Sequence, residues 1–434
     1  MRSCLAVCLL LLAMPAAVAA QAVVGGSAEM RVGVLVNPDD PAASPINGAA
    51  LFRPTLHAGT GDFTLHFQAT VGLDPATGSM SVVLDSLRVD TAPADFLRLS
   101  IGRFSYATGA AVFLAPTSFF SSVDYDALFE GRLADAILPA DLVQVRLLEG
   151  DVSLTCTVAP FPRRAPLPAT DSPWFPRKDL PASIHVTFPI QQDLVLAGIT
   201  MESPDLPAAA PQTMSASLEG AATVGPLDLS FLYYHGYDLS PLVQARFDFP
   251  QGLFQDYNVI LTPVDRLIDA LGLTAVLGIS DFQLTADVAY TLSKTFLTRQ
   301  LSSDTFETVL ATAPLLQYAL GAGWTSDQPS LSLLCEWKGA WVPAGPAGIE
   351  LPMLSSALFG RASLGFWEDR ITLATNVLVS LADKSLAIAA DCTFSPSSEV
   401  SIQLLAPFFI DAADTELGEF SANHLVSLGA TWRF

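Results

Sequence analysis

The chain predicts an all-β fold: a single transmembrane antiparallel barrel of about 20 strands, within a range of about 16 to 20, with short turns at one end and longer loops at the other. Three observations predict it. The 434 residues are 51% hydrophobic and 15% charged, with mean hydropathy +0.43. Yet after residue 20 there is no uncharged apolar run of the roughly 18 residues that a helical span needs. The longest candidate, Val259 to Ile279, is broken by Pro263, Asp265, Arg266 and Asp269. Apolar and polar residues instead alternate with a period of two over stretches of about 8 to 13 residues, and the links between them alternate short and long.

The chain begins with Arg2, the apolar run Leu9 to Met14, and Ala17-Val18-Ala19-Ala20. A charged start, an apolar middle and a small-residue cleavage zone make a secretory signal, so residues 1–20 are expected to be removed. Pro15 argues against an uncleaved anchor. The remainder, 21–434, shows no composition break and reads as one barrel.

Along that barrel, Phe63, Leu65, Phe67 and Ala69 oppose Asp62, Thr64, His66 and Gln68. Val152, Leu154, Cys156 and Val158 oppose Ser153, Thr155 and Thr157. From Asp281 to Leu292, Phe282, Leu284, Ala286, Val288 and Tyr290 share one face, while Gln283, Thr285, Asp287 and Thr291 share the other. Leu331, Leu333, Cys335, Trp337 and Trp341 oppose Ser330, Ser332, Glu336 and Lys338. At the end of the chain, Val426, Leu428, Ala430, Trp432 and Phe434 oppose Ser427, Gly429, Thr431 and Arg433. Such stretches are long enough to cross a bilayer when tilted, and longer than the usual soluble strand of about 5 to 6 residues. A soluble sandwich, β-helix or lipid-carrier barrel would also alternate, but fits the strand length and the turn pattern less well.

Short links are expected at 395–398, 368–369, 326–329, 280–281, 225–226, 189–192 and 149–150. Longer ones are expected near 408–421, 343–355, 293–314, 236–267, 201–212, 160–181 and 105–139. With both termini on one side, every short link of this set falls on that side. Ala382-Asp383-Lys384 is a short link on the other side.

A strand that stops on a terminal aromatic resembles the closing strand of bacterial outer-membrane β-barrels, which implies that Trp432 and Phe434 form a signal read by the insertion machinery. Leu97 to Gly109, containing Gly102-Arg103, and then Pro116-Thr117-Ser118-Phe119-Phe120, resemble a strand and loop of porin-like outer-membrane proteins. Leu271 to Gly278, turning into Thr285 to Tyr290, is a second echo. The chain departs from the pattern at Ala110-Ala111, where a Trp or second Gly often stands. The resemblance implies a porin or passive channel for small hydrophilic solutes in a Gram-negative outer membrane, with lipid, the insertion machinery and small solutes as partners and without a cofactor.

Region 105–139 mixes Phe119 and Phe120 with Asp124, Asp126, Glu130 and Arg132, a composition suited to a constriction loop that packs on a wall while facing water. Strand phase selects Arg98, Arg146, Glu219, Asp287, Glu336, Lys338 and Arg361 as pore-lining. Asp391 and Arg433 share that phase. The formal net charge is −22, from 43 acidic and 21 Lys and Arg residues, and becomes −23 when Arg2 leaves with residues 1–20. Such a field repels nucleic acid, and rings of inward carboxylates favour cations, so a cation preference is expected.

Other classes remain in view: a non-conducting adhesin or receptor working through its outer loops, or an uptake barrel for hydrophobic substrates using inward Leu148, Leu232 and Leu334. Among the loops, 160–181 is proline-stiffened and carries Arg163, Arg164, Arg177 and Lys178. Catalysis is not expected. His235-Gly236-Tyr237-Asp238 supplies at most a His–Asp pair, with neither a Gly-x-Ser-x-Gly elbow nor a metal-type His/Cys cluster. Cys156, Cys335 and Cys392 fall on apolar faces and read as lipid-facing free thiols.

Overall fold

A computed structural model describes residues 21–36, 46–73, 78–133, 135–161, 163–164, 166–168, 170, 172–176, 183–186, 192–202, 206–239, 242–249, 257–301, 307–327, 330–346, 348–412 and 414–434. The signal expected at 1–20 lies outside them, as do Arg177, Lys178 and the 189–191 part of the expected 189–192 turn.

Eighteen strands form one closed sheet. In chain order they are Gln21–Val36, Ile46–Thr60, Phe63–Leu73, Met80–Ala94, Leu97–Phe104, Ala140–Glu149, Val152–Ala159, Ser215–Val224, Leu227–Tyr237, Leu267–Ile279, Phe282–Leu301, Thr308–Asp327, Ser330–Trp341, Ala357–Phe366, Ile371–Ser380, Leu386–Phe394, Val400–Ile410 and His424–Arg433. Each pairs antiparallel with the next, and the first closes on the last through Ser27 opposite Arg433 to Val36 opposite His424. Closure removes every sheet edge, which is what lets strands stand in lipid. The seam ends on Phe434, whose carbonyl accepts from Gly26 N at 3.0 Å and whose N–H donates back at 3.1 Å.

The predicted phase holds along the wall. Leu428 and Trp432 are exposed outward while Ser427 is buried, and Leu333 and Trp337 are exposed while Glu336 is buried. The tight turns lie at the end shared by Gln21 and Phe434, at 61–62, 95–96, 150–151, 225–226, 280–281, 367–370 and 395–399; the link expected at 326–329 falls in part outside the described residues. Gly150 and Gly225 take φ +56° and +60° there, the left-handed backbone that such two-residue hairpins require.

The structure departs from two expected connections. The segments flanking 189–192 alternate but do not join the wall. Ser183–Val186 and Gln192–Met201 leave it, with Val243–Asp248 and Tyr257–Pro263, to form a separate four-stranded sheet at the long-loop end. In it Gln192–Met201 runs parallel to Tyr257–Pro263, with Ile199 opposite Val259, over a core of Tyr257, Val259, Leu261 and Phe175. Region 293–314 is not a long loop either. It continues two strands of 20 residues each, Phe282–Leu301 and Thr308–Asp327.

At the same end the turn 381–385 is short, as its sequence suggests, and docks the loop 411–423. Asp383 accepts from Ser385 N at 3.1 Å, from Ser385 Oγ at 2.7 Å and from Glu416 N. Burial works against its ionisation, but the hydrogen bonds from Glu416 and Ser385 outweigh it and hold the carboxyl below the usual range. A depressed folded pKa gives stability that is complete above the unfolded value of about 4 and is lost as pH falls through the folded value. Melting scans at pH 7 and pH 3 should therefore show wild type losing more on acidification than Asp383→Asn, and equal losses would remove this role.

Candidate functional site

The loop 105–139 leaves the wall after Leu97–Phe104, folds into the lumen and rejoins at Ala140. Its N-terminal limb is held by two carboxylates of the facing wall. Asp287, fully buried, accepts from Ala110 N at 2.8 Å, from Ala111 N at 2.6 Å and from Thr274 Oγ1 at 2.6 Å. Glu336, 3% exposed, accepts from Val112 N at 2.6 Å on one oxygen and from Phe113 N at 2.9 Å on the other. Consecutive backbone N–H groups converging on carboxylates form charge-assisted hydrogen bonds, the stronger kind. Gly109 makes the bend at φ +96°, and a Cβ there would sit 2.3 Å from Thr117 Oγ1 and 3.0 Å from Asp287 Oδ2. The departure at Ala110-Ala111 thus has a physical sense, since small residues let the backbone approach the acid.

Further contacts follow the wall around the barrel. Tyr106 OH donates to Glu219 at 2.8 Å, Phe119 stacks on Tyr234 at 4.8 Å, and Phe120 meets the same ring edge-on at 5.3 Å. Phe113 stacks on Phe359 at 4.9 Å. The short helix Tyr125–Phe129 is capped by Asp124, which accepts from Ala127 N at 3.1 Å. Phe129 then joins Phe420 at 4.5 Å, Phe409 at 6.0 Å and Trp174 at 6.1 Å, uniting this loop with two outer loops and the wall.

The charged members of the loop bind outward and sideways. Burial raises the Asp126 carboxyl above its usual range, while Ser172 Oγ donates to it at 2.9 Å. Arg132 holds Glu130 at 2.8 Å and Asp135 at 3.1 Å, and these acids outweigh burial to keep its guanidinium charged. Asp135 in turn lies 3.4 Å from Arg53 of the wall, which pairs with Glu29 at 3.3 Å, and Glu29 pairs with Arg31.

The seven residues chosen by phase do not share one role. Asp287 and Glu336 are sealed under the loop, so they anchor it instead of meeting solute. Glu219 is engaged by Tyr106. Arg98 and Arg146 stand directly opposite each other and are exposed, with Arg146 Nη2 donating to Ser153 Oγ at 3.3 Å. Arg361 is exposed and Lys338 half-buried.

Phase reasoning missed Glu29, Arg31 and Arg53, because glycines and alanines blur the alternation of the first two strands. It also passed over His57, Arg88 and Asp90. His235 pairs with Asp269 at 2.9 Å, not with Asp238, which binds Lys294 at 2.5 Å. The three free cysteines sit on the outward face, as expected.

The sequence matches no protein-family model and no curated protein. Among solved structures, OmpF of Salmonella typhi in complex with daunomycin superposes with TM-score 0.46 at 10% identity, over 95% of this chain and 97% of that one. A mutant porin of Rh. blastica gives TM-score 0.41 at 11% identity, over 95% and 100%. OmpT of Vibrio cholerae, an outer membrane protein in trimer form, gives 0.41 at 9% identity, over 96% and 99%. Each is similar in outline only.

Proposed function

We propose that the protein is an outer-membrane channel through which small hydrophilic solutes diffuse, and that the loop 105–139 sets its bore. The observation that carries this reading is the pair Asp287 and Glu336, buried on the wall against the backbone of a loop stationed inside the barrel. Barrels of 16 to 18 strands are wide enough for an aqueous channel, and a loop fixed within one has a geometric role that a filled barrel does not need. Residues 1–20 would direct export, and the insertion machinery would read Trp432 and Phe434. No covalent step belongs to this reading.

Selectivity is then weak, not strongly cationic. Two of the expected inward carboxylates are spent on the loop, and Glu29 and Asp90 are spent on arginines. Arg98, Arg146 and Arg361 remain to balance Glu219 and Asp391. In a planar bilayer with a KCl gradient, we expect discrete conductance steps with a reversal potential near zero. A strongly cation-selective potential would overturn the charge assignment, and a folded but silent barrel would overturn the channel itself.

The separate outer sheet, with its own core around Tyr257, favours a second reading as a surface receptor. In that case conductance is absent, and ligand capture depends on residues 183–263.

A further inference from the structure

His57 and His66 stand directly opposite on the strands Ile46–Thr60 and Phe63–Leu73. They share the inward face of Arg53, which reaches Asp135 of the loop. Their Nδ1 atoms lie 2.8 Å apart, with the rings nearly perpendicular at 82°. Nε2 of His66 is 3.4 Å from Asp90 Oδ2, and Asp90 is itself fixed by Arg88 Nε at 2.6 Å and by Ser100 Oγ at 2.5 Å. His57 is exposed and the His66 side chain is one-third exposed (33%), so lumen water reaches both.

We propose that this pair is a binding site for a divalent transition-metal ion of the Ni2+, Cu2+ or Zn2+ kind, held by the two Nδ1 atoms with water completing the shell. Metal–imidazole bonds of about 2.0–2.1 Å at cis or tetrahedral angles place two ligand nitrogens about 2.9–3.4 Å apart. The observed separation reaches that range by a slight turn of either ring. The tautomers suit it too. Nε2 of His66 faces the Asp90 carboxylate at 3.4 Å, which favours the proton on that nitrogen and would leave the Nδ1 lone pair free, as in the carboxylate–histidine arrangement of metal sites. His57 has only to carry its proton on Nε2, so no proton need be released. Neutral imidazole selects these ions over Mg2+ and Ca2+, which want oxygen ligands. Arg88 opposes a cation, but its charge is met by Asp90.

Among the described residues no group of three or more His, Cys, Asp and Glu converges on a metal position, so the protein offers two ligands here and not a full cage. The turn 61–62 joins the two strands. A bound ion would therefore sit towards the short-turn mouth, where it adds positive charge and bulk to the lumen.

The test is calorimetric titration of the folded full-length protein in detergent with Ni2+, with Ca2+ as the control for carboxylate binding. One saturable Ni2+ site that Ca2+ does not fill is expected. His57→Ala and His66→Ala should each weaken it by at least about tenfold, the scale that loss of even an outer-sphere partner produces. His235→Ala should leave it intact. Ni2+ heats that match those of Ca2+, or that survive both substitutions, would show a plain His–His hydrogen bond and overturn the site. Only the effect on conductance rests on the channel reading: Ni2+ should reduce current in wild type and not in His57→Ala. Intact titration with no conducting channel would count against the channel and leave the site standing.

Discussion

Replacing Asp287 by Asn and Glu336 by Gln together will loosen the loop from its wall and raise single-channel conductance. Each carboxylate receives two backbone N–H groups of the 110–113 limb, and Asp287 receives Thr274 as well. An amide of the same shape offers one acceptor atom and turns a donor where the other acceptor stood. At Glu336, whose two N–H groups sit on different oxygens, one buried donor is then unsatisfied, at about 1–3 kcal/mol. At Asp287 both N–H groups sit on Oδ2 and the Thr274 hydroxyl can turn to accept, so what is lost there is the charge assistance. The wall does not share this cost, because its strands are bonded to their neighbours on both sides. The expected signature is larger, noisier conductance steps and new protease nicking near 110–113, with the β-sheet circular dichroism unchanged. Conductance identical to wild type would show that this latch does not set the bore.

The contrast between the wall and its latch shows what was readable in the chain. Alternation in 282–292 and 331–341 placed Asp287 and Glu336 inward, because a strand's two faces are encoded residue by residue. What covers an inward acid is not encoded locally: Ala110 lies 177 positions from Asp287, and Val112 lies 224 from Glu336. Phase therefore supplied direction and could not separate an anchor from a pore-lining charge.

The same limit explains 183–201. Its alternation is that of a two-faced strand, but its partners are Val243–Asp248 and Tyr257–Pro263 and not the wall. Region 293–301 misled for the opposite reason. Ser293, Lys294, Thr295 and Thr298 look like loop because the strand has passed beyond the apolar belt, where Lys294 is buried on Asp238 and Phe296 packs with Ala313 and Leu315. The inward loop 105–139 was legible as a mixture of aromatic and acidic residues. The wall rings that receive it, Tyr234, Phe359 and Phe409, are dispersed along the chain and carried no local signal.

Phe420→Ala should free the outer side of the same loop, with an effect that multiplies that of the latch. Phe420 is 1% exposed and contacts Phe129 at 4.5 Å, Phe409 at 5.6 Å and Trp174 at 6.0 Å. Truncating an aromatic buried this fully costs about 3–5 kcal/mol. Here the cost falls on the docking of three segments far apart in the chain, the inward helix, the 172–176 stretch and the 411–423 loop, which are otherwise tied by Ser172 Oγ to Asp126 and Asn423 Nδ2 to the Pro173 carbonyl. The latch and the aromatic cluster hold the loop through different wall strands, with Phe113 belonging to both through its N–H to Glu336 and its ring in the cluster of Phe129 and Phe420, so their energies should add apart from a coupling through that residue. Either anchor alone then keeps the loop in place for most of the time. Asp287→Asn with Glu336→Gln, or Phe420→Ala by itself, should raise conductance moderately, and the triple variant should approach the conductance of a barrel lacking residues 108–136. If the triple variant conducts no better than the latch variant, the aromatic cluster is a rim packing feature with no hold on the bore. If Phe420→Ala alone reaches the loop-deleted value, the carboxylates are not an independent anchor.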